Sequence, residues 1–354
     1  MLQFFPNIIA IMFGQTIMNK KVRWGILGAA NIAIKKVIPA MQLCKFSEVA
    51  AIASRDSVRA AEAARSLNIP KSYGSYEDLL FDGDIDAVYI PLPNNLHVEW
   101  SIKAAIAGKH VLCEKPISIS ADGVRKLIDV RNQTGVRIQE AFMVRTHPKW
   151  IAVSELIKNG RIGKLQAISG FFSYFNDDPS NIRNKAEMGG GALMDIGCYC
   201  INISRLIFGE EPDRVASLIA RDEHSGIDKM TSALLEFPAG HASFTCSTQL
   251  VPYQRMQFFG TKGRIEVQIP FNIPPSTPTR IFIDDGSDLY GKNVEIIEFP
   301  AADQYTIQAD NFSQAILNGE DQAIGLEDSF KNMSAIEAVF RSAETGNWES
   351  PESL

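Results

Sequence analysis

The chain keeps one hydrophobic rhythm up to about residue 145 and another beyond it. From Lys21 onward, short apolar runs alternate with stretches whose apolar residues recur every three or four positions. Residues 22–27 form a short, mostly apolar run suited to a buried strand, and a helical stretch over 31–41 follows at once. Residues 48–53 read as a second strand and 57–67 as an alanine-rich amphipathic helix. A third strand over 85–90 is closed by Pro91 and Pro93, and the helix over 97–107 stops at Gly108. Residues 110–113 and 136–141 are strands, with a helix over 121–134 between them that ends at Gly135. Such strand–helix alternation predicts a parallel, doubly wound sheet with right-handed crossovers.

After Arg145 the texture changes. A helix over 149–159 precedes longer runs that alternate apolar and polar residues, at 165–175, 215–221, 231–237, 241–248, 254–260 and 263–267. These predict a large, mostly antiparallel sheet with one face covered. Residues 271–300 are punctuated by Pro and Gly and predict peripheral loops and short strands, and 310–318 and 326–344 read as closing helices. The expected class is α/β: an N-terminal doubly wound parallel sheet plus a C-terminal α+β domain with a large, mostly antiparallel open sheet. The chain divides into an extension (1–20), a first domain (21–144) and a second (145–354).

Composition narrows the function. A chain of 354 residues with 45% hydrophobic and 21% charged residues is an ordinary globular sequence long enough for two cores. The net charge of -6 gives no basic footprint for nucleic acid. Cys44, Cys113, Cys198, Cys200 and Cys246 are odd in number and scattered, and no CxxC or HExxH occurs. No disulfide framework or metal site is expected, and a reducing cytoplasm fits. Residues 1–18 carry no charged side chain, whereas a secretory signal needs basic residues before its apolar run. Pro6, Gly14 and the short apolar length argue against a membrane span. The segment reads as a surface or disordered peptide, or as residues ahead of a true start at Met18, with an unusual targeting signal as the third reading.

The junction of the first strand and helix reads Gly25-Ile26-Leu27-Gly28-Ala29-Ala30-Asn31-Ile32-Ala33. Gly28 supplies a tight turn, and the helix start at Ala30, Asn31 and Ile32 offers amides and a positive dipole end to a pyrophosphate. Ala30 stands where the GxGxxG pattern has its second glycine, so the motif alone is weak. Its place in the first βαβ unit is what points to dinucleotide binding. The second strand ends Ile52-Ala53-Ser54-Arg55, where an NAD site wants an acidic residue for the ribose hydroxyl. Ser54 can hydrogen-bond a 2′-phosphate, Arg55 can pair with it or stack on adenine, and Arg59 adds charge one turn on. Asp56 lies past the strand end and reads as a helix N-cap. NADP(H) is expected, with NAD as the alternative.

Three further segments carry a resemblance. They are Pro91-Leu92-Pro93-Asn94-Asn95-Leu96-His97, then Cys113-Glu114-Lys115-Pro116, then Asp195-Ile196-Gly197-Cys198-Tyr199, which follows Gly189-Gly190-Gly191-Ala192-Leu193-Met194. In order and spacing they resemble the P-N-x-x-H loop, the Glu-Lys-Pro signature and the D-x-G-x-(Tyr/His) motif of the glucose–fructose oxidoreductase / inositol dehydrogenase (Gfo/Idh/MocA) family. The likeness covers nearly the whole chain from Lys21. It looks closest to the branch with dimeric dihydrodiol dehydrogenase, glucose–fructose oxidoreductase and NADP-linked xylose dehydrogenases, in which Tyr ends the last motif. The resemblance implies a Rossmann domain whose cofactor is bordered by Pro91, Leu92, Asn94, His97, Glu114 and Lys115. It also implies an oxidoreductase acting on CH–OH groups of a sugar or sugar-like diol. In relatives the free sheet face pairs subunits, which implies a homodimer or homotetramer.

Oxidising an alcohol requires loss of an O–H proton while hydride leaves the same carbon. Tyrosine, with a pKa of about 10, serves as base only if that value is lowered, which a nearby ammonium does. By resemblance Tyr199 is the acid/base, Lys115 the cation that lowers its pKa and binds the substrate oxygen, and Asp195 a group that positions the substrate. Arg145 and His147 fall where the chain leaves the first domain and either reach the cleft or build a junction salt bridge. Arg183, with Asn181, is a candidate substrate contact. Cys198 and Cys200 read as packing residues. Two other function classes stay open: an NAD(P)-dependent glycosidase running an oxidation–elimination cycle, and a non-catalytic NADP-binding sensor. Tyr199 and Ser54-Arg55 count against the first, and the Lys115/Tyr199 pair against the second.

Overall fold

The computed structural model describes residues 20–320 and 324–354. The readings made for residues 1–18 lie outside the described residues. Strands β1 (Val22–Leu27), β2 (Ser47–Ala53), β3 (Lys71–Tyr73), β4 (Ala87–Ile90), β5 (His110–Cys113) and β6 (Ile138–Glu140) form one sheet. Its order is β3-β2-β1-β4-β5-β6 and every neighbouring pair is parallel. Alternate residues of β4 enter different cores: Ala87 and Tyr89 pack with Trp24 and Ile26, while Val88 and Ile90 pack with Leu27 and Val111. A strand buried on both faces explains why the short runs read as continuously apolar. Strand order reverses between β1 and β4, so their carboxyl ends flank a crevice.

The connecting helices are α1 (Ile38–Gln42), α2 (Ser57–Ser66), α3 (Tyr76–Phe81), α4 (His97–Ile106) and α5 (Ala121–Thr134). Gly135 ends α5 with a left-handed φ of 70°, as a C-terminal glycine should. A π-helical turn, Ala33–Val37, precedes α1 where the pattern predicted one uninterrupted helix. β3 and α3 have no counterpart among the elements expected from the hydrophobic pattern. β3 is three residues long, lies at the sheet edge and is never fully buried, so it has no apolar run to detect.

The second sheet has the order β14-β13-β12-β11-β7-β10-β9-β8. Its strands are β7 (Leu165–Phe175), β8 (Arg214–Arg221), β9 (Asp228–Phe237), β10 (Gly240–Ser247), β11 (Gln249–Gly260), β12 (Gly263–Gln268), β13 (Thr279–Asp284) and β14 (Glu295–Phe299). All neighbours are antiparallel except β7 and β10, which run parallel at the centre. One face is covered by helices, among them α7 (Cys198–Phe208), which packs on β7. Ala186–Phe208 has the length and hydropathy of a membrane span by composition, but its apolar window is 89% buried, as the core helix of this domain. On the other face Leu218 is 78% exposed and Leu234 40%.

Three more helices complete the fold: α6 (Pro148–Lys158), α8 (Gln304–Asn318) and α9 (Leu326–Thr345). α8 returns to the first domain. Phe312 packs on Trp24 with ring centroids 5.7 Å apart, Trp24 Nε1 donates to Ser313 Oγ at 3.1 Å, and Asp310 accepts the amides of Lys45 and Phe46. α9 is tied to α5 by a two-pronged ion pair between Arg131 and Glu327.

Candidate active site

The carboxyl ends of β1, β2, β4 and β5 bring the predicted cofactor residues to one side. Gly28 has a φ of 123°, and a Cβ there would stand 3.0 Å from Leu92 Cδ2. The turn therefore takes no side chain. The first helical turn after it leaves amides without intrahelical acceptors, so Gly28, Ala30, Asn31 and Ile32 fit a pyrophosphate. Ser54, at the end of β2, is 8% exposed and its Oγ accepts the Asp56 amide at 3.2 Å. Asp56 caps α2, accepting from Val58 and Arg59 at 3.0 and 3.2 Å. Arg55 is exposed, whereas Arg59 donates to the Ala29 carbonyl at 2.7 Å and so braces the glycine turn.

After β4 come Pro91 and Leu92, both buried, and Asn94, whose Nδ2 donates to the Gly189 carbonyl at 2.8 Å. His97 is fully buried with Nδ1 2.7 Å from the Pro116 carbonyl and Nε2 2.7 Å from that of Leu92. It fastens the loop after β4 to the loop that carries Lys115. Burial pulls the imidazole down to about 4, and the two carbonyls oppose that. Glu114 accepts from the Tyr89 hydroxyl at 2.5 Å, and burial raises its carboxyl above the ordinary value.

Lys115, after β5, meets the second domain at Asp195. Its Nζ donates to the Asp195 carbonyl at 2.5 Å and to Asp195 Oδ1 at 3.1 Å, with both side chains 12% exposed. The other carboxylate oxygen accepts from the Tyr174 hydroxyl at 2.5 Å and from Arg183 Nε at 3.0 Å. Burial opposes the charge on Asp195, but Lys115, Arg183 and the Tyr174 hydroxyl outweigh it and hold the carboxylate well below its usual range. Burial likewise pulls the Lys115 ammonium down, but Asp195, together with Cys198 and Glu114, outweighs it and leaves the ammonium above its ordinary value.

Asp195 lies on the π-helical turn Leu193–Gly197, and Tyr199 follows one turn later at the start of α7. Phe142, Phe172 and Phe271 surround the Tyr199 ring at 5.3, 6.1 and 5.2 Å between centroids. Lys115 Nζ stands 5.0 Å from the ring centroid, and the hydroxyl meets Met143 Sδ at 3.4 Å. The sequence led to a phenol lowered by Lys115. The structure differs: burial dominates and raises Tyr199 well above 10.0, because the ammonium faces the ring while its charge is spent on Asp195.

Arg183 thus joins the Lys115–Asp195 cluster, while Arg145 and His147 have other partners. Arg145 bonds Asp328 and Asn202, each at 3.2 Å, and Arg205 pairs with the same Asp328. That is the junction salt bridge of the two readings. His147 is fully buried and caps α6 through Nδ1, which accepts the Lys149 amide at 3.1 Å. Sequence reasoning missed Tyr174 and Met143. Tyr174 is one more aromatic in the apolar run of β7, and Met143 carries no chemical signature, so neither had a signal to find.

Residues 22–142 match the oxidoreductase family with an NAD-binding Rossmann fold, and residues 150–266 match the GFO/IDH/MocA C-terminal domain. The chain belongs to the GFO/IDH/MocA oxidoreductase family. An uncharacterised oxidoreductase of Rhizobium meliloti is 48% identical over 93% of this chain and 98% of its own. A D-xylose 1-dehydrogenase (NADP(+)) of Haloferax volcanii is 39% identical over 91% of this chain and 98% of its own. Among solved structures, a 3-ketoreductase from Actinomadura kijaniata in complex with NADP and TDP-benzene superposes with a TM-score of 0.86 at 31% identity, covering 91% of this chain and 98% of that one. The expected family, fold class and oxidoreductase class are met.

Proposed function

We propose that this GFO/IDH/MocA member is an NADP(H)-dependent oxidoreductase that interconverts a carbonyl and a hydroxyl on a sugar or sugar-like diol. The observation that carries the reading is the buried Lys115–Asp195 pair beside Tyr199, at the carboxyl ends of the strands where the glycine turn fits a dinucleotide. The NADP-linked Haloferax xylose dehydrogenase and the NADP-bound Actinomadura ketoreductase support the cofactor and the substrate class.

When bound, the nicotinamide supplies or accepts the hydride. Lys115 has three ammonium hydrogens; Asp195 takes two through its carbonyl and Oδ1, and the third is left for a substrate oxygen. Asp195, held as a carboxylate by three donors, orients Lys115 and is too weak a base to take the proton itself. Tyr199, neutral because it is buried, is suited to give its hydroxyl proton to the substrate oxygen in the direction of carbonyl reduction. Ser54 and Arg55 would meet the 2′-phosphate, and Arg183, half-exposed beside Asp195, the substrate's outer hydroxyls.

We infer as well that the free face of the second sheet pairs copies of the chain. Leu218, Leu234, Phe171 and Ala216 line a groove there with Ser232 and Thr245. A cytoplasmic setting fits the five free, buried cysteines.

The test is turnover of NADP(H) with a panel of aldoses, inositols, dihydrodiols and keto sugars, with NAD(H) in parallel. Activity with NADP(H) that Tyr199→Phe abolishes is the expected result. Silence across the panel despite tight NADP binding, or tighter binding of NAD, would overturn the reading.

A further inference from the structure

Lys149, in the first turn of α6, is fully buried. Among the described residues no carboxylate pairs with it. Its Nζ donates instead to the carbonyls of Gln268 at 3.2 Å and Ile269 at 3.1 Å. A buried ammonium without a counterion is costly and survives only where its hydrogens are used. Burial draws it down to about 8, which still leaves it mostly charged at neutral pH.

The carbonyls it holds belong to an unusual turn. Ile269 has a φ of 47°, a left-handed conformation that a β-branched residue adopts only under constraint. The next residues are fastened as well. Trp150 Nε1 donates to the Pro270 carbonyl at 2.8 Å, Gln304 Nε2 to that of Phe271 at 3.0 Å, and Gln254 Oε1 accepts the amides of Phe271 and Asn272. The product of the turn is the placement of Phe271, fully buried, stacked on Phe172 at 4.9 Å and tilted against Tyr199 at 5.2 Å. The other side of the Tyr199 box is Phe142 and Met143, from the segment that leads into α6. Lys149 therefore joins two walls of one box.

We propose that Lys149 is a positioning residue for Tyr199: by fastening the left-handed turn at Ile269, it holds Phe271 against the phenol and fixes where the hydroxyl points. The consequence for catalysis rests on the reading of Tyr199 as the proton donor. The placement of the phenol does not. Glycine at 269 would adopt the same backbone without strain, so Ile269→Gly should make the clamp less necessary.

The experiment uses the full-length protein labelled with 13Cζ tyrosine, with the Tyr199 resonance assigned by its loss in Tyr199→Phe. In Lys149→Met that resonance is expected to shift and titrate at lower pH than in the parent, as water reaches a loosened box. Adding Ile269→Gly should move it back. In parallel, kcat should fall about tenfold to a hundredfold with NADP(H) affinity unchanged. An unmoved Tyr199 resonance in folded Lys149→Met overturns the proposal. A moved resonance with unchanged kcat upholds the clamp and instead removes Tyr199 as proton donor. If Lys149→Met does not fold, the double variant must; a double variant that stays unfolded also overturns the proposal.

Discussion

Replacing Asp195 with Asn probes the centre of the site. Asn keeps an oxygen for Lys115 but removes the negative charge 3.1 Å from its ammonium. At an effective dielectric of about 20, that charge pair is worth ~5 kcal/mol, an upper figure because the site relaxes. With ~1.4 kcal/mol for each factor of ten in proton affinity, Lys115 should become more acidic by on the order of 10² to 10³. The direction follows from the structure: burial already pulls this lysine down, and Asp195 opposes it most strongly. The variant's kcat/KM should then acquire an alkaline limb inside the accessible pH range, where the parent's ammonium stays protonated. The fold should survive with reduced stability, since Arg183, 42% exposed, can turn to solvent. The assay is a pH–rate profile of kcat/KM with NADPH and the best carbonyl substrate, beside thermal unfolding. A limb in the same place as the parent's, or a loss of activity uniform across pH, would refute the account of Lys115 as a charged ligand maintained by Asp195.

Glu140 offers a second pH test. It is 4% exposed, accepts the Ile117 amide at 2.9 Å, and burial raises it from 4.5 to about 7. A raised carboxyl stabilises the fold below its unfolded value and loses that contribution as pH climbs through about 7, so the parent should lose up to roughly 3 kcal/mol between pH 4.5 and 8 relative to Glu140→Gln. Urea unfolding of both proteins across that window measures it, and parallel curves would contradict it. Arg55→Glu should weaken NADP by about tenfold to a hundredfold without weakening NAD, whose ribose hydroxyl an acidic residue can accept, read by fluorescence titration. Leu234→Glu, on the free sheet face, should reduce the mass seen by light scattering to that of a monomer without loss of fold.

Much of the first domain was legible because its determinants are local. Buried parallel strands read as apolar runs, Gly28 and Gly135 stand where φ is positive, and Asp56 caps the helix it precedes. β3 escaped because an edge strand of three half-exposed residues has no hydrophobic signature. The parallel pairing of β7 with β10 escaped because alternation along a strand reveals its buried face and not its neighbour.

The site divides the same way. Asp195 and Tyr199 are singled out in the sequence by their resemblance to a family motif, while the helical stretch over 193–208 that carries them one turn apart is not read from the pattern and is a result of the structure. The apolar run over 110–113 by itself puts Lys115 just past a strand end, because that follows from local pattern, and its place beside a cofactor is what the resemblance implies. Tertiary structure alone decided that Tyr174 and Arg183 share the Asp195 carboxylate, that Arg145 turns to Asp328, and that Lys149 holds Ile269. It also decided the state of Tyr199. Spacing along the chain can bring an ammonium near a phenol, but whether that phenol is lowered or raised depends on what else surrounds it. Here three phenylalanines from three distant segments enclose the ring, and desolvation outweighs the nearby charge.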